Sequence, residues 1–199
     1  MDLRNEVRKS SSGTPTWGDG SKFDWKRAAE TAGNRIHAIA PHWLIIVGGL
    51  NYQLEFKDIL KNPVVLNRPN KLVYSGHFYN FSWGPTSLTW NLFNEEAFRE
   101  KFFNDQLSVR CIKGEGTPFI LGEFGNNTRD DSWIYLMKYL KELDLDWIYW
   151  CLDGYKCDNQ EDETYGIWNF QFTGVRHPEM LDDLKAIGRR KALSYSGRI

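Results

Sequence analysis

Apolar runs and helical patterns alternate along the chain, and this alternation constrains its fold more than any other feature. Residues 44–47 form an apolar run without polar alternation, which is typical of a strand buried on both faces of a parallel sheet. The cycle repeats with strand-like runs at residues 72–75, 119–121 and 147–150. Because helical patterns separate these runs, the sequence predicts a parallel α/β fold.

The helices between these runs carry recognisable end signals. Asp24 can cap a helix with one apolar face, and Pro41 ends it. Pro178 suits the start of a final helix, because proline is favoured in the first helical turn. The first predicted helix runs from Asp24 to Pro41. The others cover residues 95 to about 109 after Asn94, a segment to about 143 after Asp130 or Asp131, and residues 178–187.

Charge and apolar composition exclude several classes of protein. The 25 basic and 26 acidic side chains give a net charge of -1 without a run of Lys or Arg, which argues against nucleic-acid binding. No apolar run approaches the roughly 18 residues of a membrane span. The first residues lack the basic start and apolar stretch of a signal peptide. The three cysteines allow no closed set of disulfides, so Cys151 and Cys157 either pair across a short loop or stay free thiols.

Common nucleotide-binding and hydrolase motifs are missing from the sequence. Gly114 and Gly116 lack the third glycine of a dinucleotide-binding loop and precede their strand. Neither a G-x-S-x-G elbow nor an H-E-x-x-H zinc motif occurs. Aromatic residues make up 15% of the chain and include nine Trp, which predicts a large aromatic core or flat faces presented to a ligand.

Two glutamates stand at the C-terminal ends of strand-like segments. Asn5 and Glu6 come where one strand would finish, and Glu123 ends another. Because parallel strand ends converge on one face of a barrel, distance in sequence does not keep these carboxylates apart. Two carboxyls across a cleft are the minimum for glycoside cleavage: one protonates the leaving oxygen, and the other attacks the sugar carbon or activates water. A single loop Glu is more often a solvated side chain, so neither residue alone decides the function.

Three further strand-end residues favour a sugar-binding cleft. His77 and Tyr79 end the middle strand with groups that can hydrogen-bond a carboxylate or a sugar. Trp150 ends the last strand, where its indole could stack on the apolar face of a pyranose. A lone His is more often structural and a lone Trp more often core. The prediction of a sugar-binding cleft therefore depends on the presence of such residues at several consecutive strand ends.

The order and spacing of these motifs resemble a known family. The matching segments are Asp-Leu-Arg-Asn-Glu at 2–6, Pro-Thr-Trp-Gly at 15–18, Gly-Asn-Arg-Ile at 33–36, the strand and turn at 44–52, His-Phe-Tyr at 77–79, Leu-Gly-Glu-Phe-Gly at 121–125, the run at 147–150 and Tyr-Gly-Ile at 165–167. Together they resemble glycoside hydrolase family 5, the cellulase family, over about residues 2–187.

The resemblance implies a retaining glycosidase of the TIM (β/α)8 barrel class. Glu6 matches the acid/base in the family's Asn-Glu-Pro signature, although Val7 stands where the proline is usual. Glu123 matches the nucleophile. A retaining pair should lie only about 5–5.5 Å apart. No metal or organic cofactor is expected, because the two carboxylates supply the acid, the base and the nucleophile.

The resemblance also implies a set of substrate-binding residues. Asn5 would hydrogen-bond the sugar 2-hydroxyl, and Tyr79 would orient Glu123. His77 would line the site, and Trp150 would form the stacking platform. The expected partner is an oligosaccharide or polysaccharide, and the expected reaction is endoglucanase-like hydrolysis of O-glycosyl bonds.

Chain length predicts a partial barrel. Glu6 matches the end of the family's fourth strand, so the later runs match strands five to eight. A complete barrel takes about 250 residues, and we expect the first three strands and most of the fourth upstream of Met1. The prediction is therefore a part-barrel over residues 1–188 followed by a polar tail over 189–199. Exposed barrel edges would favour self-association.

Three functional hypotheses stay open from the sequence. The first is a glycosidase whose activity is impaired in this chain. The second is a non-catalytic carbohydrate-binding remnant or a truncated gene product of such an enzyme. The third is a plain α/β binding module, which the Trp content and acidic strand ends fit poorly. An extracellular or secretory location is expected for the full-length family, although this chain shows no signal peptide.

Overall fold

The computed structural model describes residues 1–80 and 94–188. The chain divides into two compact units. The first unit comprises Met1–Gly125 with Leu145–Tyr149, and the second comprises Asn126–Asp144 with Trp150–Ile199. The predicted polar tail, 189–199, lies outside the described residues, and the single domain over 1–188 stays a prediction.

The first unit contains a four-stranded parallel sheet. Its strands lie side by side in chain order: β1 (Ile45–Gly48), β2 (Leu72–Tyr79), β3 (Phe119–Gly125) and β4 (Asp146–Tyr149). All three pairings are parallel. The sheet confirms the predicted parallel α/β class. Strands β2 and β3 run further towards their C-terminal ends than the apolar runs indicated, so that the polar strand-end residues of β2 pair with β3 beyond a register shift.

Residues 1–3 pair with β1 on the side away from β2. Asp2 forms a parallel bridge with Ile46. The Ile46 N–H donates to the Met1 carbonyl at 2.8 Å, and the Leu3 N–H donates to the Ile46 carbonyl at 3.2 Å. The segment before Glu6 is therefore strand-like, as predicted, but its pairing stops before that residue is reached.

Helices precede and follow these strands along the chain. Two of these helices are capped by residues that the sequence indicated as caps. Asp24 accepts a hydrogen bond from the Arg27 N–H at 3.1 Å, and Asp130 accepts one from the Trp133 N–H at 3.0 Å, so Asp130 is the cap that the sequence left undecided. No helix of the described residues is long and apolar enough to cross a membrane. The first unit contains α1 (Trp25–Ile39), α2 (Leu50–Gln53), α3 (Glu95–Phe98), a π-helix (Arg99–Gln106) and α4 (Val109–Gly114), and the second contains α5 (Asp131–Glu142) and α6 (Pro178–Ile187). Asn51 and Tyr52 of α2 do not have helical φ and ψ, so this segment is a turn after β1 rather than a regular helix.

The helix predicted over residues 95 to about 109 begins after Asn94, whose side chain accepts the Ala97 N–H at 2.9 Å, but it ends at residue 106 and changes its type on the way. The chain changes from α3 to the π-helix, and the Leu107 N–H bonds to the carbonyl of Phe102, five residues back. Ser108 then adopts a left-handed φ of 49°, which ends the helix before α4 starts. The wider turn buries both Phe102 and Leu107, and Phe102 packs against Phe78 of β2 with ring centroids 5.6 Å apart.

The second unit also contains a small antiparallel pair, β5 (Tyr155–Lys156) and β6 (Glu161–Asp162). Cys151 and Cys157 in this unit are both free thiols. The alternative of a disulfide between them is therefore wrong.

Candidate active site

The C-terminal ends of β2 and β3 place three of the predicted residues side by side. His77 pairs with Glu123 across the two strands, after a register shift between Gly76 and His77. Tyr79 follows His77 by two residues, so both side chains point to the same face of β2. The parallel register thus brings the imidazole and the phenol next to the Glu123 carboxylate.

Glu123 has a direct hydrogen-bond donor on the neighbouring strand. The Tyr79 hydroxyl donates to Oε1 of Glu123 at 2.6 Å. A short bond from a neutral donor to a carboxylate is typical of the stronger charge-assisted class. It fixes one carboxylate oxygen and leaves Oε2 on the side of His77, whose Nδ1 lies 3.7 Å away.

His77 also contacts Glu6. This residue lies in the segment that follows residues 1–3, which pair with β1. Nδ1 of His77 lies 3.2 Å from Oε1 of Glu6. The His77 side chain is almost fully buried, whereas the side chains of Glu6 and Glu123 keep about a fifth of their surface exposed, 21% and 18%. One buried imidazole nitrogen therefore faces two partly exposed carboxylates.

The backbone at Glu6 has an unusual conformation and its own set of partners. Its φ is 49°, in the left-handed region that non-glycine residues rarely adopt. The Glu6 N–H donates to Oε1 of Gln53 at 2.9 Å. Nη1 of Arg8 donates to the Glu6 carbonyl at 3.0 Å and lies 3.5 Å from Oε2 of the Glu6 side chain.

Sequence reasoning missed Gln53 and Arg8. Gln53 follows β1 closely, so the rule that identified His77 and Glu123 at strand ends could have pointed to it. Its side chain is fully buried, and Nε2 donates to the Ser75 carbonyl at 3.1 Å and to the Ser75 hydroxyl at 3.3 Å. Arg8, by contrast, carried no signal in the sequence beyond its closeness to Glu6.

The positions of Asn5 and Trp150 do not test the sugar contacts that were predicted for them. Asn5 is exposed and directly precedes Glu6. Trp150 directly follows β4, belongs to the second unit and is 47% exposed. An exposed indole is available for stacking on a ligand. The predicted sugar contacts of both residues stay predictions.

The three charged or ionisable groups at the strand ends are compatible with more than one chemistry. One ligand atom from each of Glu6, His77 and Glu123 lies within 4.8 Å of the others, a geometry that could hold a metal ion. The same arrangement places two carboxylates on either side of one imidazole nitrogen, which is compatible with acid–base chemistry. The expectation that no metal is needed stays a prediction.

Comparison with known proteins agrees with the resemblance seen in the sequence. The model of the family described as Cellulase (glycosyl hydrolase family 5) matches residues 1–156. The chain is 32% identical to a glycosyl hydrolase 5 family protein of Chamaecyparis obtusa over 202 aligned positions, which cover 94% of the chain and 34% of that protein. It is 33% identical to an endoglucanase of Paenibacillus polymyxa, with 76% of the chain and 41% of that protein covered.

The solved structures that are similar to this chain agree with these sequence matches. The chain is similar to an endocellulase from Pyrococcus horikoshii, in the structure of a variant in complex with cellotetraose, with a TM-score of 0.66 and 25% identity. The match covers 89% of this chain and 52% of that one. The chain thus spans between a third and about half of the length of these relatives. Its four parallel strands correspond to part of a TIM barrel, which agrees with the predicted fold class.

Proposed function

Because the chain belongs to glycosyl hydrolase family 5, the cellulase family, we propose that it hydrolyses O-glycosyl bonds of a β-linked oligosaccharide or polysaccharide by a retaining mechanism. The observation that carries this proposal is the pair of carboxylates, Glu6 and Glu123, on either side of His77. Their facing oxygens lie within 4.8 Å of each other. Such a close approach of single oxygens favours the carboxyl separation of about 5–5.5 Å in retaining enzymes over the about 6.5–9.5 Å of inverting ones.

Each carboxylate takes a separate role in this proposal. Glu123 attacks the anomeric carbon, and Glu6 gives a proton to the leaving glycosidic oxygen as the bond breaks. A covalent glycosyl ester on Glu123 results. Glu6, now ionised, takes a proton from a water that attacks the same carbon, which releases the sugar and restores both groups.

The neighbouring side chains suit these roles. Tyr79 holds one oxygen of Glu123 and so directs the other towards the sugar. His77 can donate from Nδ1 to Glu6 while it faces Glu123. Asn5 and Trp150 are proposed to bind the sugar 2-hydroxyl and to stack on a pyranose ring. The cellotetraose bound by the Pyrococcus horikoshii enzyme makes a β-linked glucan the first substrate to test.

Turnover of cellotetraose and of an aryl β-cellobioside tests the proposal. We expect the wild-type chain to release product, Glu123→Gln to lose roughly 10⁴–10⁶-fold in kcat, and Glu6→Gln to lose about 10²–10⁴-fold. The control is Glu115→Gln, an exposed glutamate away from the strand ends, which should keep wild-type rates. Wild-type rates no higher than those of the two site variants would refute hydrolysis.

A product-stereochemistry experiment tests the mechanism separately. NMR at early times should show the β-anomer as the first product from a β-glycoside. An α-anomer would contradict a retaining mechanism while leaving glycosidase activity in place. Cellotetraose binding by the wild-type chain without turnover would instead support the carbohydrate-binding alternative.

Self-association of two copies is a further part of the proposal. Leu44 beside β1 and Ile148 in β4 are 50% and 58% exposed, although parallel sheets are usually covered on both faces. Two copies would supply eight parallel strands, the number in a closed barrel, whereas one copy alone is expected to have impaired turnover. Light scattering should show a dimer that Ile148→Lys converts to a monomer. A monomeric wild-type chain would contradict this proposal.

A further inference from the structure

The buried side chain of Gln53 connects the Glu6 segment to the sheet. We infer that Gln53 is a positioning residue for Glu6, and that it sets the place from which Glu6 delivers its proton. This inference rests on the proposed glycosidase function. It concerns a residue of the turn after β1, outside the strand-end positions that carry the carboxylates.

The contacts of Gln53 suit a connecting role. Oε1 accepts the Glu6 N–H at 2.9 Å, while Nε2 donates to the Ser75 carbonyl at 3.1 Å and hydroxyl at 3.3 Å. An amide side chain presents an acceptor and two donors at one end without a charge. Gln53 therefore links the backbone of Glu6 to β2, two residues before His77, and it does so without adding another charge near two carboxylates.

Glu6 requires such a link because regular pairing has ended before it. The strand-like pairing with β1 stops at Leu3, and Glu6 itself has a left-handed φ of 49°. Additional contacts join the same two segments: the Tyr52 N–H donates to the Val7 carbonyl at 3.2 Å, and the Arg8 guanidinium lies 5.2 Å from the centre of the Tyr52 ring. The turn after β1 thus acts as the support for the Glu6 segment.

The turn is built to bring Gln53 inwards. Asn51, Tyr52 and Gln53 have consecutive left-handed φ values of 48°, 61° and 61°. Gly48 leaves the space that the side chain needs, since a Cβ at that position would lie only 2.3 Å from Cγ of Gln53. Three residues in a rarely populated conformation persist only where surrounding contacts determine them.

The proposed chemistry makes the role of Gln53 measurable. A phenol is a poor leaving group and requires the proton from Glu6, whereas 2,4-dinitrophenolate leaves without one. Displacement of Glu6 should therefore slow cleavage of phenyl β-cellobioside much more than cleavage of 2,4-dinitrophenyl β-cellobioside. A change that only reduced the folded fraction would slow both substrates equally.

The central experiment compares kcat/KM of the two substrates for the full 199-residue chain and for Gln53→Met, which keeps side-chain length but loses the amide. We expect a loss of about 10- to 100-fold on the phenyl substrate, as for a displaced catalytic group, and less than about threefold on the dinitrophenyl substrate, which needs no general acid. Gln53→Glu keeps an acceptor for the Glu6 N–H but replaces the Nε2 donor with a second acceptor against the Ser75 carbonyl and buries a charge, so it should recover little of the phenyl activity. Gln171→Met, at an exposed glutamine, is the matched control.

Equal losses on both substrates, or none, would overturn the inference. A measurement without turnover keeps it testable if Gln53→Met fails to fold or if the wild-type chain hydrolyses neither substrate. The Glu6 amide of the wild-type chain should exchange its hydrogen at least about tenfold more slowly than an unstructured amide, since its acceptor is fully buried. Unprotected exchange would also overturn the inference, whereas protected exchange without turnover would refute only the proposed hydrolysis.

Discussion

The two carboxylates of the site are held in different ways. Glu123 lies within β3, between two neighbouring strands, and the Tyr79 hydroxyl on β2 bonds directly to its carboxylate. Glu6 lies beyond the last paired residue of its segment, and Gln53 bonds to its backbone. A strand ladder sets the position of Glu123, whereas a few side-chain hydrogen bonds set that of Glu6. Glu6, the proposed acid/base, should therefore be the more easily displaced of the two.

The difference matches the separate demands of the proposed reaction. The nucleophile must stay at bonding distance from one carbon, which a rigid strand provides. The acid/base serves a leaving oxygen in one step and a water in the next. His77 contacts both carboxylates and therefore belongs to both supports.

Removal of His77 should produce the largest effect among the supporting residues. His77→Ala deletes the buried imidazole whose Nδ1 faces both glutamates, and loss of one hydrogen-bonding group at an active site typically costs about 10²–10³-fold in kcat. Both leaving-group classes should suffer, because both carboxylates lose a contact. His42→Ala, at an exposed histidine, is the control. A loss confined to the phenyl substrate would show that His77 serves Glu6 alone.

Tyr79→Phe should show the loss of activity that comes from weakening the support of Glu123 alone. It removes only the hydroxyl bound to Glu123, and a hydrogen bond to a charged group contributes about 1.5–3 kcal/mol, which corresponds to roughly 10- to 150-fold in kcat/KM. The loss should be similar for phenyl and dinitrophenyl cellobiosides, in contrast to Gln53→Met. Tyr155→Phe keeps its ring contact with Phe170 in the second unit and serves as the control. A strong dependence on leaving group would contradict the assignment of Tyr79 to Glu123.

Two glycine substitutions should perturb the supports to different extents. In Gly122→Ala the new Cβ would lie 2.0 Å from Oγ of Ser75, and in Gly48→Ala it would lie 2.3 Å from Cγ of Gln53. Overpacking of this kind typically costs about 1–3 kcal/mol in the free energy of unfolding, measurable with urea.

The activity of these two variants sharpens the comparison. Gly122→Ala crowds the strand that carries Glu123 and also the Ser75 hydroxyl that binds Gln53, so both substrates should slow. Gly48→Ala crowds Gln53 alone and should slow the phenyl substrate much more than the dinitrophenyl substrate. Gly114→Ala meets no atom within 4 Å and should change stability by less than about 0.5 kcal/mol. Identical substrate profiles for Gly48→Ala and Gly122→Ala would remove the distinction between the two supports.

The smallest effect concerns β2 at a distance from the carboxylates. Burial raises the pKa of Tyr74 to about 12, and its hydroxyl accepts the Val64 N–H at 2.9 Å. The folded state therefore holds the phenol proton more tightly than the unfolded chain, whose pKa is near 10. This contribution is complete below pH 10 and is lost as the pH rises through about 12.

Urea unfolding of the wild-type chain and Tyr74→Phe between pH 8 and 11 should reveal this contribution. The wild-type chain should lose on the order of 1 kcal/mol more than the variant as the pH rises. Equal pH dependence in the two proteins would show that Tyr74 does not titrate differently in the folded state. Other lysines and tyrosines titrate in both proteins and cancel in the comparison.

Local sequence patterns were sufficient to predict much of the fold and the composition of the site. The apolar run before Gly48 indicated a strand buried on both faces, and Asp24 and Asp130 marked helix starts that the structure contains. His77 and Glu123 were recognised from their places at strand ends. These signals are local, because strand burial and helix capping depend on residues a few positions apart.

Other features depended on contacts between distant residues. The π-helix before Leu107 was missed because its apolar spacing resembles that of an ordinary helix, and burial of Phe102 and Leu107 favours the wider turn. Gln53 was missed because three consecutive left-handed residues, which no local pattern indicates, turn its side chain towards Glu6.

The sequence by itself determined the parallel α/β class, the family and the identity of the two candidate carboxylates. Tertiary structure decided how those carboxylates are supported: the register shift at Gly76 and His77 places one imidazole against both, and the turn after β1 supplies the amide that holds Glu6. The physical reason is that residue type and periodicity are properties of neighbouring residues. Strand register and buried hydrogen bonds, by contrast, form only when segments more than forty residues apart pack together.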